Sequence, residues 1–275
     1  MAAQELGIPG QRLKKLDVDS GRLPGQPGMT EAILRIALPM LFLLVWETLT
    51  RLEYINALFF PAPSRIFRTL YSMVISGELL HELGHSLRRV VYGFTLGVMP
   101  AIVVGLAMGW SRRFRAVVEP FIAAIYPIPK ITLLPMVMLI FGIGDLSKIV
   151  LVAVASFFPV AMNATVAVLG ISPTYFEVAR NFGAGWWKTF TRVVLPGSLP
   201  VVFAGLRLAF GISLLLVVGV EFVSAQEGVG AMIWSSWQTL RTDRLYTGIV
   251  TWSIIGLCSN YILRSLERRI VRWSR

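Results

Sequence analysis

The chain has 275 residues, of which 55% are hydrophobic and 15% are charged. Soluble domains carry about 25% charged residues, so this composition excludes an ordinary soluble protein and indicates a membrane protein. The net charge of +11 does not indicate nucleic-acid binding, because Lys and Arg form short clusters between apolar runs instead of one basic face.

The chain is predicted to be one membrane domain, residues 31–275, behind a polar cytoplasmic tail, residues 1–30. The tail has no short apolar core before a small-residue cleavage site, so we predict no cleaved signal peptide. A transmembrane helix needs about 20 apolar residues. Six runs qualify: 33–50, 89–110, 116–141, 148–169, 199–222 and 245–265. We therefore predict an all-α integral membrane protein with six transmembrane helices.

The Lys and Arg distribution predicts the orientation. If the N-terminus is cytoplasmic, sixteen Lys and Arg residues lie in cytoplasmic segments and eight lie in segments on the opposite side. Positive charge favours the cytoplasmic side. Both termini are therefore predicted to be cytoplasmic, together with the polar segment 177–196 between the fourth and fifth spans.

Residues 51–88 are predicted to form an outer-face helix along the membrane interface. His81 and His85 are spaced i, i+4, which could hold a metal ion. The only nearby carboxylates in the sequence are Glu78 and Glu82, and the single Cys258 is distant. We therefore interpret this stretch as a helix at headgroup level and predict no metal site.

The second span has a small residue at every fourth position: Gly93, Gly97, Ala101, Gly105 and Gly109. Such a stripe lets a neighbouring helix backbone approach closely. We predict that it is a helix-packing face.

The third span is interrupted by Pro127, Pro129 and Pro135, with Lys130 among them. Backbone groups freed by proline at membrane depth must be satisfied by protein or by a water-filled cavity. A lysine at the bilayer centre costs at least about 2.5 kcal/mol. Lys130 is therefore interpreted either as part of a transport pathway or as a structural residue that pairs with a carboxylate or a helix end, or snorkels to the interface.

Two further charged positions lie in or beside the later spans. Asp145 is predicted to be the N-cap of the fourth span. Arg207 and Glu221 are fourteen residues apart in the fifth span, about 21 Å of helix rise. They cannot pair with each other, so each needs another partner.

The sequence shows no catalytic constellation and no ATP site. Gly183 to Thr189 superficially resembles a phosphate-binding loop, but that loop requires glycine directly before its Lys-Ser/Thr pair. Trp187 occupies that position before Lys188. We therefore predict a protein that is not an enzyme and has no cofactor of its own.

The segment 177–196 resembles a much more specific motif. The segment contains Glu177-Val178-Ala179, then Gly183 after three residues, Val193 after nine more, and Leu195-Pro196 after one more. This pattern is similar to Glu-Ala-Ala-x3-Gly-x9-Ile-x-Leu-Pro. This is the cytoplasmic loop motif of permease subunits of bacterial type I ABC importers. Val178 and Val193 depart from it by small aliphatic changes.

Other stretches resemble the nitrate, sulfonate, taurine and bicarbonate branch of that family. They are residues 61–64, 86–94, 129–135, 141–144, 205–207, and Glu221 with 228–230. The resemblance covers nearly all of the chain after residue 30.

The resemblance implies a permease of the bacterial inner membrane that works with separate ATPase subunits, a second permease copy and an extracytoplasmic substrate-binding protein. ATP and Mg would be bound by the ATPase. The loop 171–197 would be the coupling element. Its implied contact residues are Glu177, Ala179, Arg180, Gly183, Ala184, Trp186, Lys188, Leu195 and Pro196.

The residues of the segment suit a docking role. Glu177 to Phe182 and Trp186 to Arg192 are predicted to form two short helices joined by a sharp turn at Gly183 and Gly185. The expected cargo is a small anion, with Pro129, Lys130, Arg207 and Glu221 near its pathway. An ion-coupled secondary transporter, an ABC permease for a non-anionic solute and a purely structural membrane anchor are the alternatives.

Overall fold

The computed structural model describes residues 29–224 and 226–273, with side chains from residue 33 onward. All regular structure in these ranges is helical, which confirms the all-α prediction. The helices are α1 Met29–Arg51, α2 Pro63–Ile75, α3 Glu78–Trp110, α4 Arg112–Ile125, α5 Leu134–Phe141, α6 Asp145–Leu169, α7 Pro173–Asn181, α8 Trp186–Thr189, α9 Leu195–Ser224, α10 Val229–Gln238 and α11 Thr242–Ile270. A 3-10 turn, Lys130–Leu133, precedes α5, and a π-helical turn, Phe190–Val194, joins α8 to α9.

Five helical stretches are long and apolar enough to cross a membrane, and the number is six if α4 and residues 130–141 form one bent span. The two arms of this bent pair meet at 88°. The six predicted runs therefore each correspond to an observed helix or helix pair. The proline-rich break predicted in the third run is confirmed.

Three boundaries differ from prediction. A single helix over residues 51–88 is wrong, because α2 covers only Pro63–Ile75 and α3 already begins at Glu78; the position of α2 at the membrane interface stays a prediction. The second span is thus 33 residues long. Its first turns are polar in sequence, but Glu82 accepts a hydrogen bond from the Gly228 amide and Ser86 donates one to Glu221. The fifth span also begins earlier, at Trp186.

Helices α3 and α6 run parallel and pack closely through the glycine stripe. A Cβ atom at Gly97 or Gly105 would overlap the backbone of Ala153 or Ala161 in α6. Thr165 closes the contact by donating a hydrogen bond to the Gly105 carbonyl at 3.1 Å. The stripe is therefore a helix-packing face, as predicted.

The centre of the bundle is α6, which lies between α3 and the antiparallel α9. More than half of the α6 span is buried (56%), compared with 6% for α1 and 6% for α11. Helices α1 and α11 therefore lie at the periphery. We call the end that carries residues 171–197 the loop end and the opposite end of the bundle the far end.

Candidate functional site

The loop 171–197 folds as a helix, a left-handed turn and a second helix. The turn is closed by hydrogen bonds from the Gly183 amide to the Arg180 carbonyl (2.9 Å) and from the Ala184 amide to the Ala179 carbonyl (2.8 Å). Gly183 has φ +68°, a conformation that costs a residue with a side chain about 1–2 kcal/mol. The predicted sharp turn at Gly183 is confirmed.

The second helix of the loop is not separate, contrary to prediction. From Trp186 the chain is helical without interruption to Ser224. The π-helical turn lies directly before Pro196, and the Leu195 amide donates to the carbonyl of Phe190, five residues back. Proline disrupts regular α-helical hydrogen bonding because it has no N–H and clashes with the preceding turn. The second helix of the loop is thus a direct extension of α9.

Aromatic contacts hold the loop against the end of α3. Trp110, the last residue of α3, has ring centroids of Phe176, Trp186 and Phe190 at 6.2, 6.1 and 6.1 Å. Aromatic pairs at this spacing contribute about 0.5–1.5 kcal/mol beyond their buried area. The loop is therefore anchored to two long helices of the bundle, α3 and α9.

The outer face of the loop exposes large apolar side chains. Phe182 is 86% exposed, Trp187 is 65% exposed and Val178 is 48% exposed. Large apolar side chains exposed on one surface element, with charged residues nearby, are typical of an interaction surface. The charged residues Glu177, Arg180 and Lys188 of the same loop are also exposed.

The structure brings the predicted coupling residues onto this one element. Glu177, Ala179 and Arg180 lie on α7, Gly183 and Ala184 lie in the turn, Trp186 and Lys188 lie on α8, and Leu195 and Pro196 begin α9. Beneath the loop is a cavity of about 640 Å³, lined by Ile171, Arg192, Pro196 and Trp273 among others.

Lys130 lies at the bend of the broken span and binds a helix end. Its Nζ donates to the carbonyls of Ile125, Tyr126 and Ile128 at 2.8, 3.0 and 2.8 Å. The same ammonium lies 4.7 Å from the ring centroid of Phe158, a cation–π contact. The helix-end alternative given for Lys130 therefore describes its contacts in this structure.

Arg207 and Glu221 each have a separate partner, as their spacing predicted. Arg207 pairs with Glu267 of α11, and Glu221 pairs with Arg89 of α3 at 2.6 Å. Among the described residues, neither forms an ion pair or hydrogen bond with Lys130. The structure does not bring the predicted pathway residues into one cluster.

A buried charged network at the far end joins α3, α6 and α9. Arg89 is 3% exposed and Glu221 is 0% exposed. Arg89 Nη2 also lies 2.7 Å from Asp145 Oδ1. The Glu221 carboxylate accepts hydrogen bonds from Ser86 Oγ (2.8 Å) and the Gly230 amide (2.9 Å). Every charge in this network thus has an opposite charge or a donor within reach, as buried charges require.

The prediction that Asp145 is an N-cap is wrong. Gly144 occupies the N-cap position of α6, and Asp145 is the first helical residue. Its carboxylate accepts hydrogen bonds from Arg88 and Arg89. Sequence inspection missed this role, because the partners lie 57 and 56 residues away.

The same network holds the turn before α10. Arg89 Nη1 donates to the Glu227 carbonyl at 2.7 Å, and the Val229 amide donates to Ser86 Oγ at 2.9 Å. Gly228 has φ +119°, and a Cβ there would lie 2.5 Å from Glu221 Oε1. Only glycine fits this position.

Comparison with known proteins places this architecture in a family. The model for "Binding-protein-dependent transport system inner membrane component" matches residues 93–272. The chain belongs to this family. It is the transmembrane permease subunit of an ABC importer, a transport component without an ATPase site of its own. The resemblance inferred from the loop motif is thus confirmed.

Individual relatives match over nearly their whole length. The permease is 32% identical to a Bacillus subtilis protein named as a putative aliphatic sulfonates transport permease, over 86% of both chains. It is 33% identical to the taurine transport system permease protein of Escherichia coli, over 90% of this chain and 92% of the relative. A Chloroflexus aurantiacus riboflavin transport system permease is 30% identical over 85% and 87%.

Proposed function

We propose that the permease imports a small anionic solute, using ATP hydrolysed by a separate ATPase subunit that docks on the loop 171–197. The observation that carries the docking proposal is the exposed apolar face around Phe182 and Trp187. A surface of this kind at the end of a membrane bundle fits a groove on a soluble partner.

The loop is built to transmit movement. Trp110 connects it to α3, and the uninterrupted helix 186–224 connects it to α9. At the far end, Arg89 and Glu221 join the same two helices. Displacement of the loop by the ATPase would therefore move α3 and α9 together, as a rigid-body change between inward-open and outward-open states.

The assembly follows from the same proposal. The permease would pair with a second copy of itself and receive solute from an extracytoplasmic binding protein, and ATP and Mg would stay on the ATPase. The chain would lie in the bacterial inner membrane. The charge count supports cytoplasmic termini and a cytoplasmic loop end.

The proposed cargo is nitrate, bicarbonate, a sulfonate or taurine. The relatives named for sulfonates and taurine support this class. Lys130 contributes a positive charge that is held by carbonyl groups, whereas the charge of Arg207 is paired with Glu267. Lys130, beside Pro129, is therefore the stronger pathway candidate. The riboflavin relative favours a second candidate, import of a different small organic solute.

Photo-crosslinking tests the docking surface. A photoreactive amino acid at Phe182 (86% exposed) is expected to crosslink the ATPase subunit in the assembled transporter, whereas the same group at Ile143 (81% exposed, at the far end) is not. The two sites are matched in exposure and differ in position. Crosslinking of the ATPase from Ile143 alone, or from neither site, would contradict the proposal.

Lys130→Gln tests the pathway. Glutamine keeps a donor for the carbonyls but removes the charge, so uptake of the anion is expected to fall at least about tenfold. Lys130→Arg keeps the charge and should retain most uptake. Reconstituted vesicles with radiolabelled taurine or sulfonate give the rates. Normal uptake by Lys130→Gln, or equal loss in both variants, would remove Lys130 from the pathway.

A further inference from the structure

Two histidines and a glutamate meet at the far end, outside the surface that docks the ATPase. His81 and His85 lie in the first turns of α3, and Glu227 lies in the turn before α10. One ligand atom from each lies within 4.8 Å of the others. His85 Nδ1 and Glu227 Oε2 are 3.1 Å apart.

The geometry suits a tetrahedral metal ion. Zinc binds His nitrogen at about 2.0–2.1 Å and carboxylate oxygen at about 2.0–2.2 Å. Tetrahedral ligands at these lengths are about 3.3 Å from one another, close to the observed separation of His85 and Glu227. His81 is exposed and is free to rotate the remaining distance, since residues at i and i+4 share a helix face.

The environment of His85 also favours a ligand. Its Nδ1 is shielded from solvent and has no hydrogen bond of acceptable geometry among the described residues, although Glu227 is near. A neutral imidazole nitrogen in this position is available to coordinate a metal. Two histidines and one carboxylate form a known zinc ligand set that leaves a fourth position for water.

We propose that His81, His85 and Glu227 form a binding site for Zn²⁺ or a similar transition-metal ion. Bound metal would join α3 to the turn before α10. That turn covers the buried pair Arg89–Glu221, because Arg89 donates to the Glu227 carbonyl. The site would therefore stabilise the contact between α3 and this turn.

Zinc titration of the assembled transporter tests this site. In this assembly the permease carries a tag that contains no histidine. It also carries Cys258→Ala, which removes the single thiol of the permease as a competing ligand. A chromophoric chelator reports free Zn²⁺, and we expect one Zn²⁺ per permease. His85→Gln and His81→Gln should each weaken binding at least about tenfold. Glu53→Gln, an exposed carboxylate outside the cluster, should not.

Two further readouts separate coordination from misfolding. Co²⁺ should give the visible absorption of a tetrahedral site in the parent and lose it in Glu227→Gln. Zn²⁺ should raise the unfolding temperature of the parent but not of His81→Gln, whose altered side chain is exposed. Zinc binding that is absent, or unchanged in both histidine variants, would show that His85 and Glu227 form only an ordinary ion pair.

Discussion

Replacing Arg89 with leucine is expected to destabilise the permease by about 3–5 kcal/mol, the usual cost of leaving one member of a buried ion pair without its partner. Glu221 is fully buried, and among the described residues Arg89 is the cation that forms a salt bridge with it. The substitution also releases the Glu227 carbonyl. Loss of transport should accompany the loss of stability, because the ion pair between α3 and α9 at the far end is removed.

Arg88→Leu is the matched control. Arg88 is the adjacent residue and also binds Asp145, but its side chain is 50% exposed, and exposed pairs contribute only about 0–1 kcal/mol. Thermal unfolding in detergent compares the two variants. The double variant Arg89→Leu/Glu221→Leu should be less destabilised than the sum of the single variants, because they share one interaction. Equal unfolding temperatures for Arg88→Leu and Arg89→Leu would refute this role.

The features predictable from sequence were those set by local chemistry. The glycine stripe from Gly93 to Gly109 predicts close packing because the period of four matches one helix face. The turn at Gly183 follows from the left-handed conformation that glycine alone adopts freely. The break at Lys130 follows from prolines, which no regular helix accommodates without cost.

The far end could not be predicted because its contacts join distant parts of the chain. Arg89 lies 132 residues from Glu221 and 56 residues from Asp145. Asp145 alone, just before an apolar run, is typical of a helix N-cap, so the sequence predicts that role instead of an ion pair. The charges are buried only because three helices converge there, and one sequence does not show that convergence.

The proposed metal-binding cluster likewise joins distant parts of the chain, and the absence of a metal site stays a prediction from sequence. Glu78 and Glu82 are the carboxylates near the histidines in sequence, whereas Glu227 lies beyond the C-terminal end of α9. The predicted boundary of the second helix of the loop is wrong. The sequence predicts two helices between Trp186 and Ser224, because polar residues and Pro196 suggest a new helix start. The π-helical turn before Pro196 instead lets the helix continue.

Gly183→Trp is expected to abolish ATP-driven uptake while leaving the membrane domain folded. A Cβ at Gly183 meets no atom within 4 Å, so the new side chain has open space within the permease and would occupy the proposed docking surface. The only internal penalty is the left-handed backbone, about 1–2 kcal/mol. Gly142, at the far end of the bundle, offers a matched control. It has φ +83°, and a Cβ there also meets no atom within 4 Å.

Co-purification of the ATPase with these two variants tests the docking role of the loop 171–197 most directly. Membrane content of the permease shows that both variants are inserted. The docking role predicts that Gly183→Trp retains little ATPase. Gly142→Trp should retain the parental amount, although its backbone (φ 83°, ψ 169°) lies in a region that is essentially restricted to glycine. Parental amounts of ATPase on Gly183→Trp, with normal uptake, would contradict it.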